Sequence, residues 1–156
     1  MNHHTVTATF RAPQDEVFAY LADIERLPEW ATEFAREVRS IDGQYKVVNG
    51  LGEFFFEIHA DPGTGVIDML AGPDEEHLHC FPTRVVATPN GGSAFTFTMF
   101  QAPGQPDEQF ASQHASLLRE VGNLERRFRV TGQSDPAASM QHNRKEQADG
   151  RVPSTR

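Results

Sequence analysis

The strongest pattern in the chain lies near its end. Between residues 107 and 128, Phe110, Leu117, Leu118, Val121, Leu124 and Phe128 recur with the helical period, and Arg119, Asn123, Arg126 and Arg127 point elsewhere. A one-sided stripe of this kind predicts an amphipathic helix, roughly 33 Å long at about 1.5 Å per residue. Burying six such side chains is worth about 9 to 18 kcal/mol gross, at roughly 1.5 to 3 kcal/mol each, so the helix must lie against an apolar surface.

The remainder of the chain supplies that surface. Over residues 5–10, Val6, Ala8 and Phe10 alternate with polar neighbours, the period of a half-buried strand. Residues 11–16 read as a helix entry: Pro13 suits the first helical position, and Asp15 and Glu16 are favoured by the helix dipole. Val17, Phe18 and Leu21 form its inner side. Ile24, Leu27, Trp30 and Phe34 predict a second short helix, interrupted at Pro28. From Glu37 the period becomes two. Six strands are predicted at 38–41, 45–48, 53–59, 66–70, 78–87 and 93–100, separated by turn sequences such as Asp42-Gly43, Asn49-Gly50 and Asn90-Gly91. Short turns join antiparallel neighbours, so the expected class is α+β with about seven strands, two short helices after the first strand and one long final helix. Periodicity ends at Phe128. The expected division is one domain over 1–128 and a disordered polar tail over 129–156.

Register decides which side chains face inward. A turn over residues 61–64 would set Ile58 opposite Ile67, Phe56 opposite Met69, His59 opposite Val66 and Glu57 opposite Asp68. A turn at Asn90-Gly91 would set Val86 opposite Phe95 and Arg84 opposite Phe97, placing an arginine among Phe95, Phe97 and Met99. A slip of one residue would return Arg84 to solvent, and the sequence leaves both registers open.

Composition narrows the function classes. With 156 residues, 38% hydrophobic and 23% charged, the chain has room for one core, and twelve Phe against one Trp and two Tyr make that core phenylalanine-rich. The net charge is −8, and residues 1–128 hold nine Lys/Arg against nineteen Asp/Glu, or −10. Such a body repels phosphate backbones, which argues against nucleic acid and anionic membranes as partners. A lone cysteine, Cys80, excludes an intrachain disulfide and fits a reducing compartment. The sequence shows no apolar run near 18 residues and no charged-then-apolar leader, so a cytoplasmic protein with no membrane span is expected.

The order of elements, together with local sequence, resembles the helix-grip fold of the START-like superfamily, also called SRPBCC or polyketide cyclase/dehydrase-like. The likeness is carried by residues 12–23 (APQDEVFAYLAD), by Leu27-Pro28-Glu29-Trp30, by Phe81-Pro82-Thr83-Arg84-Val85, by Thr96-Phe97-Thr98-Met99-Phe100 and by Asp107-Glu108-Gln109-Phe110. This resemblance implies a cavity between a curved sheet and the final helix. Members of the superfamily include lipid carriers, aromatase/cyclases and hormone receptors, so fold alone does not fix the activity.

The expected ligand-binding residues are Trp30, Phe54, Phe56, Ile58, Ile67, Met69, Arg84, Phe95, Phe97, Met99, Phe110, His114, Leu117 and Val121, with a hydrophobic small molecule as partner in a monomer or homodimer. His114, inside the helical stripe, could orient a ligand, serve as acid or base, or simply be a core histidine satisfied by Arg84, Cys80 or a carbonyl. An inward Arg84 would want an anionic group, whereas an outward one would pair with Glu57 or Asp68. Trp30 reads as an anchor for the short helices or a cap over the cavity, and Phe55 as an aromatic on the opposite sheet face. Glu57, His59 and Asp68 form a charged surface in preference to a metal cluster, and His77-x-His79-Cys80 lacks a second ligand pair, so neither metal nor cofactor is expected. No nucleophile elbow, phosphate loop or dinucleotide fingerprint is present in the sequence. Three classes remain: a binding module, a cyclase/dehydrase-like enzyme on the same cavity, and a dimerising protein whose core is filled by its own phenylalanines.

Overall fold

Alternating apolar positions draw the chain into one antiparallel sheet, and the computed structural model describes residues 1–129 of it. The predicted tail lies outside these residues except for Arg129, which is the last residue of the final helix. In chain order the elements are β1 (His3–Phe10), α1 (Gln14–Ala22), a 3-10 turn (Ile24–Arg26) running into α2 (Leu27–Trp30), β2 (Glu37–Ile41), β3 (Gln44–Asn49), β4 (Gly52–Asp61), β5 (Val66–Gly72), β6 (His79–Phe81), β7 (Thr83–Ala87), β8 (Ser93–Phe100) and α3 (Asp107–Arg129). The strands pair in the order β1-β8-β7-β5-β4-β3-β2, with β6 also on β5. This is the expected α+β helix-grip arrangement. No helix among the described residues is long and apolar enough to cross a membrane.

Eight strands form where seven were expected, because residues 78–87 divide at Pro82. Proline has no N–H to give to a ladder. β6 pairs with β5 at Met69↔Phe81, β7 meets β5 only at Val66↔Arg84, and between them the Thr83 amide turns to Asp68 Oδ1 at 3.4 Å. The Pro82 carbonyl still accepts from Thr98 N at 2.9 Å, so the segment stays on β8 while it parts from β5.

The predicted β4–β5 register needs correction, and the β7–β8 register takes the second of the two alternatives left open. In the β4–β5 hairpin Asp61 pairs with Val66, and the turn runs through Gly65, so Ile58 faces Met69, Ala60 faces Ile67 and His59 faces Asp68. That is a shift of two, which leaves every side chain on its predicted face. In the β7–β8 hairpin Val85 faces Phe95, Thr83 faces Phe97 and Arg84 faces Thr96. A shift of one reverses the faces. Arg84 is therefore outside and exposed, its Nε donating to the Thr64 carbonyl at 3.0 Å rather than pairing with Glu57 or Asp68.

The core forms where α3 crosses the inner face. Phe110, Leu117, Val121, Leu124 and Phe128 are buried, but Leu118 is 50% exposed and belongs to the outer side of the helix, a correction to the predicted stripe. Phe128 packs between Phe10 and the edge of Tyr20, at ring distances of 5.3 and 5.5 Å, and so joins α3 to both β1 and α1. Trp30, 3% exposed, anchors α2 in the same core, and its carbonyl accepts from Asn123 Nδ2 at 2.8 Å.

Gly65, Gly72 and Gly92 each stand too close to a carbonyl oxygen to carry a Cβ, and Gly65 adds a left-handed backbone. Gly65 has φ +77°, and a Cβ there would stand 2.0 Å from the Val85 carbonyl oxygen, because the Val85 amide donates to the Gly65 carbonyl at 2.8 Å. Gly65→Ala is expected to destabilise the fold by about 2 to 4 kcal/mol, read as a lower urea midpoint; a change below about 0.5 kcal/mol would contradict the close approach of β5 and β7.

Candidate functional site

Period-two alternation places the predicted pocket residues on one surface. Phe54, Phe56 and Ile58 of β4, Ile67 and Met69 of β5, and Phe95, Phe97 and Met99 of β8 share the sheet face on which α3 packs. They are not equally covered: Phe56, Ile67, Met69, Phe95 and Met99 are buried, whereas Phe54, Ile58 and Phe97 are half-buried. The rings interlock, with Phe97 stacked on Phe81 at 5.7 Å and 6.4 Å from Phe95, and Phe34 tilted over Phe56 at 5.7 Å.

This wall opens along the edge of β4. β3 begins at Gln44, with Tyr45 opposite Phe56, so β4 has no β3 partner from Glu57 onward. A cleft of about 360 Å³ occupies the gap between that free edge and the segment leaving α1. Ala22, Ile24, Tyr45, Phe55, Phe56 and Ile58 line it, together with Gly43, Gln44, Glu57, His59 and Glu75. A larger cleft, about 560 Å³, lies between Phe10, Arg11, Asn90, Glu125, Phe128 and Arg129, and none of the predicted pocket residues reaches it.

His114 is half-buried on α3 as its position in the stripe predicts, but its partner was not foreseen. Its ring lies flat on His4, 3.7 Å between centroids and 2° between planes, and His4 in turn stacks at 5.3 Å on Phe110. Burial, and then repulsion from His4, hold the His114 pKa below its ordinary value of 6.5. The signal for His4 was available: it continues the inward phase of Val6, Ala8 and Phe10.

Glu120 was missed altogether. It sits three residues after Leu117 and four before Leu124, on the flank of the stripe, and is only 4% exposed. Its Oε1 accepts from the amides of Glu33 (2.9 Å) and Phe34 (2.7 Å). Burial pushes its pKa up to about 7 against the opposing effect of those two amides. Arg119 reinforces the contact through Glu33, with Nε at 2.9 Å and Nη2 at 2.8 Å from its carboxylate oxygens. The segment that carries Phe34 over Phe56 is thereby fastened to α3.

Of the remaining candidates, Phe55, Glu57 and His59 reach the cleft and the others do not. Glu57 and His59 meet at 3.0 Å on exposed side chains, whereas Asp68 turns to Thr83. His77 Nδ1 contacts Asp74 Oδ1 at 2.7 Å, while His79 and Cys80 are exposed. Among the described residues no three His, Cys, Asp or Glu side chains converge as metal ligands would. Phe55 lies on the outer face, half-buried, with Lys46 Nζ 4.7 Å from its ring centroid.

No known protein-family profile matches the chain, and no curated protein matches it in sequence. Solved structures do match in fold. The protein XoxI from Bacillus cereus aligns with a TM-score of 0.65 at 13% identity, covering 82% of this chain and 96% of its own. A START superfamily protein from Mycobacterium smegmatis aligns at 0.56 and 15%, covering 83% and 99%. DynU16, a protein of the dynemicin biosynthetic locus, aligns at 0.59 and 22%, covering 81% of this chain and 46% of that one. The chain is thus similar to START-like proteins in fold.

Two titrating groups on α3 should act on stability in opposite senses. Glu120, raised from 4.5 to about 7, contributes stability that is present below pH 4.5 and lost as pH rises to 7. His114, lowered from 6.5, contributes stability that is present above 6.5 and lost on acidification. Urea midpoints measured from pH 4.5 to 8 should fall less with rising pH in Glu120→Gln than in the parent, and fall more in His114→Phe. Parallel profiles for all three proteins would contradict these assignments.

Proposed function

We propose that this protein binds a small hydrophobic molecule in the space between the sheet and α3, admitted through the 360 Å³ cleft at the free edge of β4. The observation that carries this reading is the coincidence of that opening with apolar side chains left incompletely covered. Phe56 and Ile58 line the cleft, and Ile58, Phe54 and Phe97 keep part of their surface open on the face that should be driest. An apolar pocket with a few polar groups at its edge is the usual form of a small-molecule site. The fold likeness to a START superfamily protein and to a protein of a biosynthetic locus supports the same class.

In this reading Phe54, Phe56, Ile58, Ile67, Met69, Phe95, Phe97 and Met99 form the wall, and Phe110, His114, Leu117 and Val121 the roof. Trp30 holds the short helices in place. Arg84 is removed from the site by its outward register. With the Arg84 side chain on the other side of the sheet, Arg84 and His114 are not brought together as a cyclase/dehydrase-like site on this cavity would use them, and binding is the reading we retain. A lone exposed Cys80 fits a cytoplasmic setting.

Native mass spectrometry of the purified protein is expected to show a retained hydrophobic compound. Ile58→Trp, which fills the cleft from its floor, should weaken binding of an alkyl or aromatic probe roughly tenfold, about 1.4 kcal/mol, with the circular dichroism spectrum unchanged. Probe affinity unaltered by that substitution would remove the cleft from the binding path.

A further inference from the structure

The floor and the rim of the β4 cleft differ in chemistry. Ile24, Phe56 and Ile58 make an apolar floor, whereas Glu57 and Glu75 bring two carboxylates to the rim and no Lys or Arg lines the cleft. His59, the one basic side chain there, is already held by Glu57 Oε2 at 3.0 Å, and Gln44 Nε2 donates to Glu75. Arg39 bridges Glu37 and Glu53, and Lys46, which does not itself line the cleft, stands 4.7 Å from the ring of Phe55 at its outer side and 3.9 Å from Glu53. With Arg84 outside, the inward strand positions among the described residues carry no arginine or lysine to receive an anion.

We infer that the cleft takes an apolar molecule carrying a cationic or amine head, and discriminates against carboxylates. This rests on the binding function proposed above. The apolar body would lie on Phe56 and Ile58, where burial supplies the affinity, and the head would stay at the rim, where solvated carboxylates supply selectivity. A carboxylate head would face two like charges, and no Lys or Arg side chain lines the cleft to receive it. An exposed charge pair is worth roughly a two- to fivefold effect, so two carboxylates that attract one head and repel the other separate them by about tenfold or more.

The test uses three probes of equal chain length, dodecyltrimethylammonium, dodecanol and dodecanoate, titrated into the full chain below their micelle concentrations at low ionic strength, with Trp30 fluorescence or calorimetry as readout. Affinity should fall in that order, with the ammonium at least about tenfold tighter than dodecanoate. The ratio should collapse towards one in Glu57→Gln/Glu75→Gln and in high salt. It should persist in Glu16→Gln/Glu108→Gln, which removes the same charge from exposed positions that do not line the cleft. Dodecanoate binding as tightly as the ammonium, or a ratio that both double variants lower alike, would overturn the head-group preference while leaving the binding function intact. Failure of all three probes would overturn both.

Discussion

A sheet with one phenylalanine-rich face cannot be left in water, and α3 is what covers it. Everything else follows from that mutual burial. The helix alone would be one-sided and marginal, and the sheet alone would expose Ile67, Val85 and Phe95, all of which are fully buried in the assembled fold. The two short helices complete the cover where α3 does not reach. Val17, Leu21, Leu27 and Trp30 turn inward from them, so the segment between β1 and β2 belongs to the core as much as the strands do.

Apolar contact sets the layers, but it does not fix where a loop lies on a helix. That task falls to polar groups at the border of the core. The residues between α2 and β2 lack a strand partner for the amides of Glu33 and Phe34, and buried N–H groups are costly to leave unpaired. Glu120 takes both, Asn123 takes the Trp30 carbonyl, and Arg119 reaches Glu33 from outside. The carboxylate is placed in a dry site for this purpose, and its raised proton affinity is the physical consequence. The same border sets the height of Phe34 above Phe56, and hence how far the wall beneath is closed.

Much of this was legible in the sequence because it depends on periodicity. The stripe of α3, the period-two strands, the short helices and the inward face of β4 and β5 are all patterns that side-chain alternation dictates. A two-residue register error did no harm there, since the faces repeat every two residues. What depended on a single residue was not legible. Arg84 could be assigned to either face until the ladder with β8 was known, and Pro82 divided a strand that hydropathy reads as continuous. Glu120 looked like any other acid on a helix flank, because nothing local announces that two backbone amides from residues 33 and 34 will arrive there. His4 was passed over because its neighbour in space, His114, is far away along the chain.

The incomplete cover of Phe54, Ile58 and Phe97 has a bearing on inheritance. Side chains sealed on every side, such as Phe95, are constrained by their neighbours' volumes, whereas those with an open flank can be exchanged for bulkier or smaller ones at little cost to folding. The scaffold thus separates what must be kept from what is free to vary. Chains that share about one residue in eight with this one keep a similar fold.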